Sequence, residues 1–275
     1  MDRVGIITRT RDRPVLLRRA LAGVRDQLYP HWQLVVVNDG GDPRAVESER
    51  CAAGLESDPR VQVVHHTESH GMEAASNAGI RRTESDYIVI HDDDDSWQPE
   101  FLQTMIDALA NRPHPRCRGM ICHTTRVVER VELGTVLECE RAPFNAHVGS
   151  VVFMEMLDEN LFPPISFLYE RAVWEELGGY DESLPVLGDW EFNLRFLMQY
   201  DIGVVPELLA NYHHRPPEAR DAYANTVTAG HDLHRRIEDR LRDRWIRRDL
   251  AAGKPGLGAL GWMAARRGTG ARVRE

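Results

Sequence analysis

The sequence predicts an α/β fold: a mostly parallel sheet with helices on both faces, followed by a helical extension. Two observations carry this. Apolar strand-like runs alternate with helix-period segments through the first hundred residues, "VGIIT" (4–8), "QLVVVNDGG" (33–41), "VQVVHH" (61–66) and "YIVIH" (87–91) being the strands. Strands separated by helices imply right-handed βαβ crossovers and a parallel sheet covered on both sides.

The elements follow in order. Pro14 opens a helix on which Leu17, Leu21, Val24 and Leu28 recur at three- and four-residue spacing. A second helix spans about Met72 to Arg81, and a third starts at Pro99 with Leu102, Met105 and Leu109 on one side. Residues 117–165 lose the alternation: "TRVVERVELGTVLECE" reads as a hairpin turning at Gly134, and "LFPPIS" as an irregular connection. A helical pattern from Glu170 stops at Gly178-Gly179, a C-cap signal. "GDWEFNLRFLMQY" (188–200) is a helix with Asp189 at its start, "IGVVP" (202–206) a short strand, and the chain from Pro216 is helical before a Gly- and Arg-rich tail. This divides the chain into a domain at 1–215, with halves at about 1–115 and 116–215, and an extension at 216–275.

At 275 residues the chain can bury a sizeable core. A net charge of -9 argues against nucleic-acid binding, which favours a basic face. Cys51, Cys117, Cys122 and Cys139 form no CxxC pair or zinc-type spacing and read as reduced thiols. No apolar run has the length of a signal peptide or a membrane span, so the expectation is a cytoplasmic protein.

The chemistry concentrates in "HDDDDSWQP", where four aspartates, Asp92 to Asp95, follow a strand. A solvated turn needs only one or two of them, and four adjacent like charges repel. A hard divalent cation would turn that repulsion into attraction. In parallel sheets ligands bind beyond the carboxyl ends of the strands. Thr8 to Arg13, Asn38 to Gly41 and Asp92 to Asp95 all lie at such ends, so they should face one crevice.

With the strands placed, the motifs resemble the family 2 glycosyltransferases of the GT-A, Rossmann-like fold over about residues 3–215. "VGIITRTRDRPVLLRRAL" looks like that family's opening strand and nucleotide loop, "LVVVNDGG" its second strand with the nucleoside-binding aspartate, and "HGMEAASNAGI" its Gly…Asn helix. "YIVIHDDDDSWQPEFL" resembles its DxD segment and "FLYERAVWEELGGYDESLPVLGDWEFNLRF" its acceptor-side segment with the catalytic base. The resemblance implies an inverting transfer of sugar from a nucleotide diphosphate (UDP-, dTDP- or GDP-linked) to a glycan, lipid-linked or small-molecule hydroxyl, in cell-surface polysaccharide or glycoconjugate synthesis. It places Asp189 as base, and Thr8, Arg9, Thr10, Arg11, Asp39, Gly71, Asn77 and Asp92 at the nucleotide. Asp92 and Asp94, with Asp95 in support, would meet a Mn²⁺ or Mg²⁺ ion, and His214 is a further ligand candidate. Asp93 fills the variable middle position and reads as the least essential of the four.

Three departures stand out. Gly188 precedes Asp189 where the family often has an acid, Arg11-Asp12 replaces Tyr-Asn, and Ser76 replaces the Arg before Asn77.

Each residue also has a plainer reading. Asp189 is a good N-cap, Trp97 and Trp190 are packing residues as readily as sugar platforms, and His65, His66 and His70 read as loop residues. The segment "LGALGWMAARRG" offers a peripheral membrane contact on the cytoplasmic face, against a helix packed on the catalytic domain. Two rival functions remain. A sugar-phosphate nucleotidyltransferase would want a Gly-rich phosphate loop, which "TRTRDRP" lacks. A non-catalytic cation- or glycan-binding module would need no base.

Overall fold

A computed structural model describes residues 2–215, 223, 231–258 and 260–261. Four parallel strands come first: β1 (Val4–Thr10), β2 (Trp32–Asp39), β3 (Val61–His66) and β4 (Tyr87–Ile90). Between them run α1 (Pro14–Arg25), α2 (Pro43–Ala52) and α3 (Met72–Ile80). Next come β5 (Ser96–Trp97), α4 (Phe101–Ala110), the hairpin β6 (Cys117–Glu132) and β7 (Thr135–Pro143), and α5 (Phe153–Asp158). The described chain finishes with β8 (Phe167–Glu170), α6 (Arg171–Leu177), α7 (Gly188–Gln199), β9 (Asp201–His214) and α8 (His231–Ala252).

Among the described residues the strands form one sheet in the order β3-β2-β1-β4-β8-β6-β9-β5, with β7 on β6. The β1–β2, β2–β3 and β1–β4 pairs are parallel. Antiparallel β8 then joins β4 to β6. Alternate side chains of a strand point to opposite faces, and here both faces are buried. Val4 and Ile6 of β1 and Leu34 and Val36 of β2 pack with Leu17 and Leu21 of α1 and Phe101 of α4. Ile7, Val35 and Val37 meet Ala75 of α3, Phe192 and Phe196 of α7, and Trp245 of α8 on the other face. That two-sided burial is why the strands read as continuous apolar runs.

The hairpin turns at Gly134, whose φ of 77° suits glycine, and α6 ends at Gly178 in the left-handed region. Other expectations need correction. Helix α1 stops at Arg25, so Leu28 is 64% exposed and its amide donates to Pro99 O instead. Helix α2 has no strong apolar stripe, with Val46 and Glu49 its buried residues, which hides it from periodicity. "IGVVP" is only the start of β9, which pairs with β6 through His214 across several register irregularities. His65 and His66 belong to β3 rather than to a loop.

The extension packs on the domain. Ile237, Leu241 and Trp245 of α8 are buried, Trp245 lies 5.5 Å from Trp190, and Arg242 donates to Leu157 O at 2.9 Å. No helix among the described residues is long and apolar enough to cross a membrane. Leu257 of "LGALGWMAARRG" is buried against the same core, while residues 262–275 lie outside the described residues. Trp245→Ala should lower the unfolding free energy by roughly 3–5 kcal/mol in denaturant titration. An unchanged midpoint would show that α8 does not belong to the core.

Candidate active site

The loop after β4 carries the four aspartates into the interior. Asp93, Asp94 and Asp95 are 0%, 7% and 2% exposed. Buried carboxylates need compensation, and arginines from other elements supply it. Arg9, from β1, donates to Asp92 Oδ1 at 2.8 and 2.5 Å. Arg13, just before α1, donates to both Asp93 oxygens and to Asp94 Oδ2. Arg215, just beyond β9 and 1% exposed, bridges Asp94 and Glu129 of β6. Arg19 of α1 also holds Glu129 and donates to Asp94 O at 2.5 Å. Asp95 accepts from His213 N at 2.9 Å.

A cavity of about 130 Å³ opens beside this network. Its walls include Arg9 and Arg13, the carboxylates of Glu73, Asp92, Asp94, Asp95 and Asp189, and Leu187, Tyr212 and His234. The five carboxylates outnumber the two arginines there, and the imbalance shows in their proton affinities. Burial and the neighbouring aspartates push Asp95 well above the carboxylate range. Burial raises Asp94 too, but Arg13, Arg215 and Arg19 outweigh it and hold Asp94 low. Burial raises Asp189, against hydrogen bonds from Trp190 N and Asn160. Burial drives Glu73 up to about 8 despite Arg9 nearby.

Asp189 sits in the first turn of α7 without capping it; the N-cap is Leu187, which has no capping side chain. Its Oδ2 accepts from Asn160 at 2.7 Å, and it lines the same cavity as the aspartate loop. The plain N-cap reading is therefore not realised.

Among the described residues no three His, Cys, Asp or Glu side chains alone form a metal-binding cluster. Ions such as Mg²⁺ need only one or two protein carboxylates when substrate phosphates complete the shell. Asp92 and Asp94 provide hard oxygen donors in a cavity with excess negative charge, so the residues fit such an ion. His214 Nε2 is buried without a hydrogen-bond partner, and shares its strand face with Tyr212. His213 points the other way, with Nδ1 on Glu129 and Nε2 on Ser96 at 2.8 Å each.

Comparisons with known proteins bear on the fold and on its first half. Residues 4–117 match the profile of Glycosyl transferase family 2. Over that stretch the chain is similar to the family 2 glycosyltransferases. It is 24% identical over 204 residues to the uncharacterized glycosyltransferase YwdF of Bacillus subtilis, covering 74% of this chain and 71% of that one. Its fold is GT-A. S. aureus TarS 1-349 in complex with UDP-GlcNAc superposes with a TM-score of 0.62 at 14% identity, over 79% of this chain and 60% of that one. The mannosyltransferase PcManGT from Pyrobaculum calidifontis, in complex with GDP-Man and Mn²⁺, gives 0.59 at 20% identity, over 77% and 56%. The chain thus spans less than two thirds of either solved chain.

The structure sorts the expected site residues of this glycosyltransferase. Arg9, Asp92, Asp94, Asp95 and Asp189 share the cavity, and Thr10 sits behind it, donating to Asp93 at 2.7 Å. Others lie elsewhere. Thr8 is 0% exposed inside the sheet. Arg11 is exposed outside the cavity. Asn77 does not line the cavity: its oxygen accepts from Trp174 Nε1 and Tyr180 N, and its amide donates to Tyr180 O and Glu182. Asp39 accepts from His66, Ser69, His70 N and Gly71 N, which fills the four acceptor sites of a carboxylate. In this conformation it holds the loop before α3, and Gly71 is that helix's N-cap. Trp97 and Trp190 are core residues, their ring nitrogens bonded to Ile165 O and Met156 O. Asp93 is the opposite of a solvated turn residue, because Arg13 and Thr10 hold it in the interior.

Sequence reasoning placed Arg13 at the crevice as the end of the Thr8–Arg13 loop, without a role, and missed Glu73, Glu129 and Arg215. Glu129 and Arg215 meet through a strand pairing that no local pattern announces.

Glu73 gives a pH test. Its folded pKa near 8 lies above the usual carboxyl value near 4.3. Between those values the unfolded chain releases a proton that the folded chain keeps, so stability falls as pH rises through the window. Glu73→Gln removes that loss. The variant should match wild type near pH 5 and melt at higher temperature near pH 8.5, checked by thermal denaturation; parallel pH curves would refute the assignment.

Proposed function

We propose that the chain is a nucleotide-sugar-dependent, metal-dependent inverting glycosyltransferase acting on a hydroxyl acceptor. One observation carries the reading: the cavity at the carboxyl ends of β1 and β4 is lined by Asp92 and Asp94 and also by Asp189. A transferase that displaces a diphosphate must favour charge on the leaving group and take a proton from the nucleophile. The two sets of carboxylates match these needs. That solved relatives of the fold carry UDP-GlcNAc, or GDP-Man with Mn²⁺, supports the donor class and the ion.

Asp92 and Asp94 would hold Mn²⁺ or Mg²⁺, which when bound offsets the negative charge of the leaving diphosphate. Arg9 holds Asp92 in place, and Arg13 holds Asp94 and helps to keep it ionised. Asp189 accepts the proton of the acceptor hydroxyl, oriented by Asn160; attack from that side opposite the leaving group inverts the anomeric carbon. Burial raises the affinity of Asp189 for the proton, which strengthens it as a base. In domain terms, residues 1–115 bind the donor, 116–215 bring the base and acceptor wall, and the extension from 216 adds His234. A cell-surface glycan or glycoconjugate is the acceptor class proposed, with the protein at work on the cytoplasmic side.

Asp189→Asn should leave binding of UDP or GDP with Mn²⁺ nearly intact while lowering transfer by about 10²–10⁴-fold. Retained turnover would move the base elsewhere. Because the base works deprotonated, wild-type kcat/KM should fall on acidification at a pH above the ordinary aspartate range; a flat acid limb argues against Asp189. Asp94→Ala should weaken Mn²⁺-dependent nucleotide binding in calorimetry, and transfer should stop in excess EDTA. Activity indifferent to EDTA would refute the metal.

A further inference from the structure

Gly188 opens α7 immediately before Asp189, and the space above it is occupied. A Cβ at position 188 would lie 2.3 Å from Glu73 Cδ and 2.5 Å from its Oε1. The Glu73 carboxyl, arriving from the first turn of α3, therefore fills the room that a side chain at 188 would need. Glu73 is 3% exposed. Its Oε1 is 3.9 Å from Arg9 Nη1, too far for a hydrogen bond, and its Oε2 has no hydrogen-bond partner among the described residues. Both Glu73 and Asp189 line the same cavity.

A buried carboxyl with an unmet oxygen destabilises the protein that carries it. Unsatisfied buried groups in native structures call for an explanation, and here the open oxygen belongs to a group on the wall of a ligand cavity. The ligand it suits is uncharged. Asp189 beside it disfavours an anionic group, whereas a hydroxyl can donate to a carboxylate or accept from a carboxylic acid and so suits Glu73 in either protonation state. The diphosphate belongs instead with Arg9 and Arg13. A sugar acceptor presents adjacent hydroxyls, so one can meet Asp189 while its neighbour meets Glu73.

We propose that Glu73 is an acceptor-positioning residue, whose carboxyl hydrogen-bonds a neutral hydroxyl adjacent to the one that Asp189 deprotonates. This rests on the reading of the chain as a glycosyltransferase with Asp189 as base. It assigns a polyol, with no anionic group beside the reacting hydroxyl, as the acceptor class. Since Glu73 and position 188 share one volume, a carboxylate can be delivered to that place from either backbone, but not from both.

The test uses the full chain, the donor that wild type turns over from a UDP-, dTDP- and GDP-sugar panel with Mn²⁺, and p-nitrophenyl glycosides as acceptors. Glu73→Ala should raise acceptor KM by about threefold to tenfold, the range of a lost hydrogen bond. Its affinity for the nucleoside diphosphate should stay within about twofold of wild type. Glu73→Gln, which preserves volume and can still hydrogen-bond, should raise KM less, and it serves if the alanine variant does not fold. The double variant Glu73→Ala with Gly188→Glu should recover most of the lost acceptor affinity, while Gly188→Glu alone should lower the melting temperature. Unchanged acceptor KM in both Glu73 variants overturns the proposal, as does a folded double variant no better than Glu73→Ala. Equal losses of nucleotide and acceptor affinity would also overturn it, since they mark a structural role. A wild type that transfers from no donor overturns the functional reading itself, and with it this one.

Discussion

Arg215 holds two buried carboxylates at once, Asp94 from the loop after β4 and Glu129 from β6, and is itself 1% exposed. Removing one partner from such a buried pair is strongly destabilising, because the remaining charge has no water to turn to. Here the guanidinium ties together the aspartate loop, the long hairpin strand and the end of β9, while Arg19 adds α1 through Glu129. The aspartates can sit side by side inside the protein only because these arginines converge on them. Their arrangement then determines which carboxylates stay charged. Asp94 remains a hard anionic donor, and His213, buried and facing Arg19 and Arg215, is held below the usual histidine range. Glu129 draws its compensation from the hydrogen bond of His213 together with the arginines.

Much of this was legible in the sequence. Strands buried on both faces leave unbroken apolar runs, so β1 to β4 could be found from composition, and the rule placing ligands at strand ends put Asp92, Asp94 and Arg9 in one crevice. Asp189 was legible through its family segment. Helix α2 was not, having almost no apolar stripe, and β9 was cut short because polar residues at its far end face a charged interior. The second layer was hidden for a different reason. Glu129 and Arg215 are 86 residues apart in the chain and meet only through the β6–β9 pairing.

Two departures from the family pattern look like losses in the sequence and become relocations in space. Ser76 stands where an arginine is usual, yet Arg9 reaches it, donating to Ser76 Oγ at 3.1 Å and to Met72 O at 3.4 Å. Gly188 stands where an acid is often found, and Glu73 fills its empty side-chain volume. In each case the charge arrives from a different element. Reading motifs position by position misses such exchanges, because a motif records which backbone supplies a group and not where the group ends up.

The cavity wall is split by the boundary of the family match at residue 117. Arg9, Arg13, Met72, Glu73 and the aspartates come from before it, whereas Pro164, Leu187, Asp189, Tyr212 and His234 come from after it. On the proposed reading the first stretch meets the nucleotide diphosphate and the second meets the acceptor. A change of acceptor could then be reached by rewriting the later segments without disturbing the phosphate end, with Glu73 an early residue that would have to change alongside them.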